Sequence, residues 1–227
     1  MPSLPKLKRD TAKLIAAKEP SHERKIFTVE LDCALAQSLN SGAGVNPSRQ
    51  ALESIISEKY HSAHSAHITE FMPILLGMSL GGRSHAALGL RPGHYRPMFL
   101  EQYMDAPIEQ QVAALSGKPV DRLSLIEVGN LVVTHRGAGL LMFIVMATAI
   151  AKAGFEWMVF TVTDEVERLI RRLDFKPQYL AMADPTRLKD RKKQWGHYYD
   201  CNPKVMVGSL IEVKTLASQR PALRRLI

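Results

Sequence analysis

The chain of 227 residues carries a formal net charge of +8, with 46% hydrophobic and 23% charged residues. That length and balance are typical of one large soluble domain with a sizeable core. Two widely separated cysteines, Cys33 and Cys201, exclude a disulfide framework and argue against a zinc site. The longest uncharged run, 137–151, is too short to cross a bilayer, and residues 1–20 lack the apolar core of a signal peptide. We therefore expect a cytoplasmic protein.

The excess of positive charge favours an anionic partner, such as a phosphorylated cofactor, an acidic lipid surface or nucleic acid. Simple solubility is the alternative, because much of the excess lies at the chain ends. We expect residues 1–20 to form a flexible basic leader rather than a short amphipathic helix, and residues 214–227 to form a basic tail. Residues 21–213 would then be a single domain.

The first half of this domain reads as strands and helices in alternation. The predicted elements are a strand at 25–31, a helix at 48–60, strands at 69–80 and 85–90 joined by a tight turn, an ordered piece at 99–104 and a helix at 107–115. Between them, His61, His64 and His67 follow each other at a spacing of three. They lack carboxylate or cysteine partners in register, so we expect no metal site.

In the second half of the domain, the sequence predicts a strand at 125–133, a glycine turn at 134–139 and a helix from 138 to 153. A strand at 156–162, a helix at 164–173, a strand at 178–181 and a last strand at 205–213 follow. The order predicts a mixed α/β domain, in which 125–162 forms a parallel crossover unit.

The glycine turn has the features of an anion site. A turn that opens a helix leaves backbone N–H groups unpaired at the positive end of the helix dipole, which suits a phosphate or pyrophosphate. Arg136 adds a fixed positive charge there. The alternative is a plain strand-to-helix turn that needs glycine for its backbone angles.

Arg136-Gly137-Ala138-Gly139 resembles the last part of the (Arg/Gln)-x-x-Gly-x-(Gly/Ala) turn of the GNAT acyltransferase superfamily, although Thr134 stands where that family has Arg or Gln. Over roughly residues 50–212 the chain more closely resembles the thermostable hemolysin family, which is itself GNAT-like. It is also loosely similar to acyl-homoserine-lactone synthases, which have a glutamate at the place of Glu127. The matching blocks are Phe71-Met72-Pro73, residues 99–109 (FLEQYMDAPIE), 127–131 (EVGNL), 156–163 (EWMVFTVT) and 195–199 (WGHYY).

This resemblance implies an α/β (α+β) fold with a GNAT-like mixed central sheet whose strands splay apart, flanked by helices. It implies an N-acyltransferase that moves an acyl group from acyl-coenzyme A, or from an acyl carrier protein, to an amine of a small acceptor without a metal. The residues that it implies for cofactor binding are Leu131, Val132, Val133, Arg136, Gly137, Ala138, Gly139 and Leu140.

By the same resemblance, Glu127 is the candidate general base, and a structural glutamate bonded to backbone is the alternative. Ile170 stands where these enzymes often place a tyrosine general acid. Tyr103 and Tyr198 are the candidates to replace it, with Tyr199 as a further one, although each is also a plausible packing aromatic.

Glu101, together with Asp105, is a candidate to bind the amine of the acceptor. The alternative is that both belong to an exposed acidic edge. Glu101 and Tyr103 would share a face if this piece is extended. Asn130 either holds a substrate carbonyl or supports the strand bulge that splays the sheet. A set of apolar side chains forms either plain core or an acyl tunnel: Met142, Phe143, Trp157 and Phe160.

The competing function is a membrane-active lytic protein, suggested by the family name and the basic chain ends, with peripheral contact to an acidic membrane. Nucleic-acid binding is not expected, because the basic residues are not interleaved with stacking aromatics along one element.

Overall fold

One mixed sheet of eight strands runs through the part of the chain that the structure describes, in the order β1-β2-β3-β4-β5-β6-β8-β7. The structure is a computed structural model and describes residues 11–15, 26–35, 47–80, 83–134 and 138–219. The strands are β1 (Thr11–Ile15), β2 (Ile26–Leu35), β3 (Ile74–Leu80), β4 (Arg83–Pro92), β5 (Leu125–Val133), β6 (Trp157–Val162), β7 (Gln178–Met182) and β8 (Lys204–Ser209).

The sheet is antiparallel except at its centre, where β5 and β6 run parallel. The predicted crossover unit is therefore confirmed. The helices are α1 (Pro47–His64), α2 (Ile108–Ser116), α3 (Ala138–Lys152), α4 (Asp164–Arg171) and α5 (Leu210–Gln219), with 3₁₀ helices at Phe99–Tyr103, Arg122–Ser124, Pro185–Trp195 and Tyr198–Cys201. Among the described residues, no helix combines the length and apolar character that a membrane span requires.

The helices cover both faces of the sheet. Helix α3 is buried along most of its length and packs with α5 on the face that carries Ile126 and Val128. This explains why α3 is apolar on almost every side. Helix α2 and the first 3₁₀ helix (Phe99–Tyr103) pack on the opposite face against Leu125 and Val159, and α1 packs beside them.

β5 and β6 separate part-way along their length. Their pairing ends at Val128 and Phe160, so the remainder of β5 has no partner in β6. On the other edge, the β4–β5 register shifts between Ala87 and Gly89, which face Val132 and Gly129. The extra β5 residue is a bulge, and Asn130 within it has a φ of 50°. Its Oδ1 accepts the Met72 N–H at 3.0 Å, so the bulge role expected of Asn130 is confirmed.

Three sequence expectations differ from the structure. The strand predicted at 205–213 ends at Ser209, because Leu210 and Val213 are buried at helical spacing and begin α5. The ordered piece at 99–104 contains a 3₁₀ helix, Phe99–Tyr103, rather than an extended segment, so the condition for Glu101 and Tyr103 to share a face is not met. Thr11–Ile15 forms a strand that pairs antiparallel with β2 where a flexible leader or helix was expected, because five residues are too few to show a clear strand pattern. Residues 1–10 and 220–227 lie outside the described residues.

Candidate active site

A cavity of about 660 Å³ occupies the gap that opens between β5 and β6. Its lining takes in residues 127–133 of β5 and residues 160–162 of β6. It also includes side chains from both faces of the sheet, namely Phe143 and Met146 of α3 on one face and Phe99 and Trp195 on the other. The cavity therefore passes through the sheet where the strands splay, with one end under α3 and the other beside the 3₁₀ helices.

The end under α3 is apolar. Phe143, Met146, Phe160 and Ile170 line it, and each is at most 5% exposed. Of the side chains that were either core or tunnel, Phe143 and Phe160 thus border the cavity. Met142 and Trp157 do not; Met142 belongs to the core beneath α3. The whole cavity has a volume within the range of small-molecule sites, and the apolar lining of this end suits an apolar chain.

The opposite end is lined by seven rings: Tyr60, His64, Phe99, Tyr103, Trp195, Tyr198 and Tyr199. They contact one another at centroid distances such as 5.3 Å for His64 and Tyr198 and 5.6 Å for Phe99 and Trp195. Burial lowers the pKa of His64 from its usual 6.5, so its imidazole is neutral at pH 7. Burial also raises the pKa of Tyr60 to about 12.

Backbone contacts fix this aromatic end. The His197 N–H donates to the His64 carbonyl at 2.7 Å, and the His67 N–H donates to the Gln194 carbonyl at 2.7 Å. Gly196 has a φ of 51°, and a Cβ built there would lie 2.1 Å from the His64 carbonyl oxygen. Only glycine fits this position, which explains the glycine of the WGHYY block.

Glu127 lines the cavity and its side chain is 2% exposed. Its two oxygens accept the backbone N–H groups of Phe99 at 2.8 Å and Leu100 at 3.0 Å. Burial raises the pKa of Glu127 to about 7, against the opposing influence of these two N–H groups and of Arg91. Glu127 is therefore bonded to backbone, as the structural alternative expected. The same carboxylate also borders the cavity, and its raised pKa suits a base.

Arg91 is the charged partner of Glu127, and the sequence did not single it out. It is the penultimate residue of β4 and faces Glu127 across the antiparallel register. The Arg91 Nε atom lies 3.6 Å from Glu127 Oε2, which is an ion pair but longer than a hydrogen bond. Only the long-range pairing of β4 and β5 could have revealed it, because Arg91 sits 36 positions before Glu127 in the printed sequence.

Glu101 is engaged within the fold and is not among the residues that line the cavity. Its carboxylate accepts the backbone N–H groups of Met98 and Ile108 and pairs with Arg122. These interactions outweigh desolvation and lower the pKa of Glu101 to about 2. The geometry gives the predicted amine contact of Glu101 no support, because its acceptor sites face the protein. Asp105 is exposed and pairs with Arg187.

The candidate general acids form part of the aromatic end. The Tyr103 and Tyr199 hydroxyls hydrogen-bond each other at 2.5 Å, and either can donate. Burial raises the pKa of both, and that of Tyr198, well above 10, so all three are protonated at pH 7. All three border the cavity with Glu127.

The predicted cofactor residues lie before, within and after residues 135–137, the part of the predicted glycine turn that lies outside the described residues. Leu131, Val132 and Val133 line the cavity beyond the bulge, and Ala138, Gly139 and Leu140 form the first turn of α3. Gly139 lies close to β5, since a Cβ there would approach Val133 to 3.2 Å. Arg136 and Gly137 lie outside the described residues.

The three histidines of the 61–67 segment do not converge. The His61 and His67 rings pack together at 5.0 Å, whereas His64 contacts Tyr198 instead. No group of three or more potential metal-ligating side chains is found among the residues that the structure describes.

Three solved structures resemble this fold. FeeM, an N-acyl amino acid synthase from uncultured soil microbes, is 14% identical, with 87% of this chain and 98% of that chain covered and a TM-score of 0.52. The apo form of TofI is 14% identical, with coverages of 85% and 98% and a TM-score of 0.53. The acyl-homoserine-lactone synthase LasI is 7% identical, with coverages of 81% and 90% and a TM-score of 0.51. The fold is GNAT-like, as the sequence predicted.

No curated protein matches the chain significantly in sequence. A family model described as thermostable hemolysin matches residues 43–222, which include the whole candidate site. Because this match spans most of the sequence, the chain belongs to the thermostable hemolysin family, as its sequence blocks indicated.

Proposed function

We propose that the protein transfers an acyl group from acyl-coenzyme A, or from an acyl carrier protein, to the amine of a small acceptor. The observation that carries this proposal is the cavity that joins a buried carboxylate, Glu127, to an apolar pocket under α3 through the splayed sheet. The names of two solved relatives agree with it, since FeeM is an N-acyl amino acid synthase and LasI an acyl-homoserine-lactone synthase.

The donor would lie along the part of β5 that β6 leaves unpaired. The backbone groups of Gly129–Val133 on that edge have no partner in β6 and are available to a pantetheine amide. The first N–H groups of α3, together with Arg136 and Gly137 just before it in the sequence, would hold the pyrophosphate. The acyl chain would enter the apolar end, between Phe143 and Ile170.

Glu127 would act as the base. The acceptor amine attacks the thioester carbonyl, a C–N bond forms and the C–S bond breaks. Glu127 accepts the proton that the amine loses, directly or through a water. The departing thiolate takes a proton, for which the Tyr103 and Tyr198 hydroxyls are the candidate donors. Asn130 remains a candidate contact for the substrate carbonyl, because it borders the cavity.

Calorimetric titration with coenzyme A and with decanoyl-coenzyme A tests the donor site. Wild-type protein should bind both, and Gly137→Asp should abolish binding by placing a carboxylate where the pyrophosphate lies. Gly117→Asp is the control for the added charge, because a side chain there meets open space; its φ of 69° lies in the left-handed region, which aspartate tolerates better than most residues. Mass spectrometry should detect N-acyl products from a mixture of amines. Absence of donor binding at millimolar concentration together with absence of N-acyl product would refute the proposal.

The family description supplies a second candidate, lysis of membranes. Release of dye from vesicles of acidic lipid distinguishes the two. Leakage that is equal for wild type and Glu127→Gln, with no acyl transfer by either, would favour lysis without chemistry.

A further inference from the structure

Arg91 lines the cavity, and part of its hydrogen-bonding capacity is unused by the described residues. Its Nη1 donates to the Pro97 carbonyl at 3.2 Å. Its Nε is buried without a hydrogen-bond partner, and Nη2 makes no hydrogen bond to any described residue. A buried charged donor without an acceptor costs free energy, so an unfilled donor beside a cavity indicates a missing ligand group.

The unused atoms identify the ligand chemistry. The Nε–H and the adjacent Nη2–H point in parallel and form the fork that binds a carboxylate with two hydrogen bonds. Glu127 does not fill this fork, because its Oε2 is 3.6 Å from Nε and its oxygens already accept the Phe99 and Leu100 N–H groups. Because Nε is buried in this position, a carboxylate brought by the acceptor would fill the fork once the Arg91 guanidinium turns from Glu127 towards the cavity.

We propose that the acceptor is an α-amino acid, with its carboxylate on the Nε/Nη2 edge of Arg91 and its amine beside Glu127. This inference rests on the proposed acyl transfer and names its substrate class. Arg91 and Glu127 are neighbours, and an α-amino acid separates its two charged groups by one carbon, so both can be engaged together. If the amine and the carboxylate of the acceptor were further apart, one of them would lose its contact with Glu127 or Arg91.

The residues around Arg91 and Glu127 determine which amino acid side chain fits. Phe99, Trp195 and Tyr198 border the same end of the cavity and offer ring faces and edges for packing. An acidic side chain would be placed among apolar rings near the Glu127 carboxylate, which is unfavourable. The site therefore favours an uncharged side chain, such as that of phenylalanine or leucine, over that of aspartate.

The test measures transfer from decanoyl-coenzyme A to four acceptors at saturating donor: L-phenylalanine, L-phenylalaninamide, 3-amino-3-phenylpropanoate and L-aspartate. L-phenylalanine should be the best of the four in kcat/KM. The amide lacks the carboxylate, and the β-amino acid moves it one carbon further from the amine. An amide or β-amino acid used as well as L-phenylalanine would overturn the inference.

Variants of Arg91 locate the contact. Arg91→Gln should raise KM for L-phenylalanine about tenfold or more, as loss of a charged hydrogen bond does. Arg91 also faces Glu127, so its loss changes the base and affects transfer to every acceptor. The measurement is therefore the ratio of kcat/KM for L-phenylalanine to kcat/KM for L-phenylalaninamide. That ratio should collapse in Arg91→Gln and be unchanged in Arg96→Gln, an exposed arginine that does not line the cavity.

The failures of the two proposals differ. Transfer to amines with no preference for a carboxylate overturns only the α-amino acid inference. An acid-to-amide ratio that Arg91→Gln leaves unchanged, while donor binding persists in calorimetry, overturns the role of Arg91. Absence of both donor binding and transfer to any amine overturns the proposed function as well.

Discussion

Arg122 and Glu101 form two parallel hydrogen bonds, Nη1 to Oε1 at 2.6 Å and Nη2 to Oε2 at 2.8 Å. Arg122 also donates to Glu109 at 2.7 Å and to the Gly93 carbonyl at 2.7 Å. Glu101 belongs to the same 3₁₀ helix whose Phe99 and Leu100 N–H groups hold Glu127. The pair therefore fixes the helix that orients the carboxylate of the candidate base.

Removal of Arg122 should destabilise the protein strongly. Its side chain is only 6% exposed, and Arg122→Ala leaves two carboxylates without their buried partner, at a cost of about 3 kcal/mol or more. The free energy of unfolding in urea measures the loss. Arg171→Ala is the matched control, because its 2.7 Å pair with Glu167 is nearly as short but its side chain is 49% exposed. The control should lose about 0.5 kcal/mol at most, and equal losses would contradict the prediction.

The same pair predicts acid sensitivity. The pKa of Glu101 is lowered from 4.5 to about 2 in the folded protein by its hydrogen bonds, while the unfolded chain keeps the ordinary value. Its contribution is therefore fully present above pH 4.5 and is lost as the pH falls towards 2. Glu101→Gln should flatten the decline of the unfolding free energy across this window. A variant with the same acid profile as wild type would show that Glu101 does not carry it.

The sequence predicted an element well where a local pattern of residues determines its conformation. β5 has the bounds 125–133 expected from its β-branched run, and α2 ends before Gly117 in the left-handed conformation, as a helix end with glycine should. Sequence reasoning failed where the partner is distant. The Arg91–Glu127 pair depends on the register of two strands, and the role of Glu101 depends on a 3₁₀ helix. The cavity itself joins opposite faces of the sheet, which no single segment can indicate.

Asn130 should combine two separable contributions to stability. Its Oδ1 accepts the buried Met72 N–H, and its φ of 50° lies in the left-handed region, which asparagine tolerates. Asn130→Gly keeps the backbone angle and loses the acceptor, at about 1–3 kcal/mol. Asn130→Ala adds strain of about 1–2 kcal/mol. Urea unfolding should rank wild type above the glycine variant and the glycine variant above alanine.

Asn202 supplies the control for this ranking. It has a φ of 48° at an exposed helix end, and its N–H donates to the Tyr199 carbonyl. Asn202→Ala should therefore show the backbone strain alone. An alanine variant at position 130 that is no less stable than glycine would contradict the two-part account.

Acyl-chain length should depend on Phe143. This side chain is 5% exposed to solvent and borders the apolar end of the cavity, so Phe143→Ala enlarges the space for the chain. The preference among acyl-coenzyme A donors should shift to longer chains, measured as kcat/KM across a series. Met142→Ala is the control, because Met142 is buried in the same helix but does not line the cavity. Both variants should lose stability, by about 2–5 kcal/mol, and only Phe143→Ala should shift the preference.

Glu127 should produce opposite trends of activity and stability over one pH window. Burial raises its pKa from 4.5 to about 7, so as the pH rises through 7 the base becomes ionised and kcat/KM increases. The raised pKa also means that the folded protein holds this proton more tightly than the unfolded chain. The contribution of Glu127 to stability is full below pH 4.5 and is lost as the pH rises through 7.

Glu127→Gln tests both trends in one protein. Its activity should fall by roughly 10²–10⁴-fold and lose the rise near pH 7, and its unfolding free energy should decline less than that of wild type between pH 4.5 and 7. Thermal or urea unfolding across this range, beside kcat/KM profiles, measures the two. A variant that flattens the stability profile but retains activity with the same pH dependence would show that Glu127 is only the structural acceptor of the Phe99 and Leu100 N–H groups. Loss of both trends together would identify Glu127 as the base as well as the acceptor of these two N–H groups.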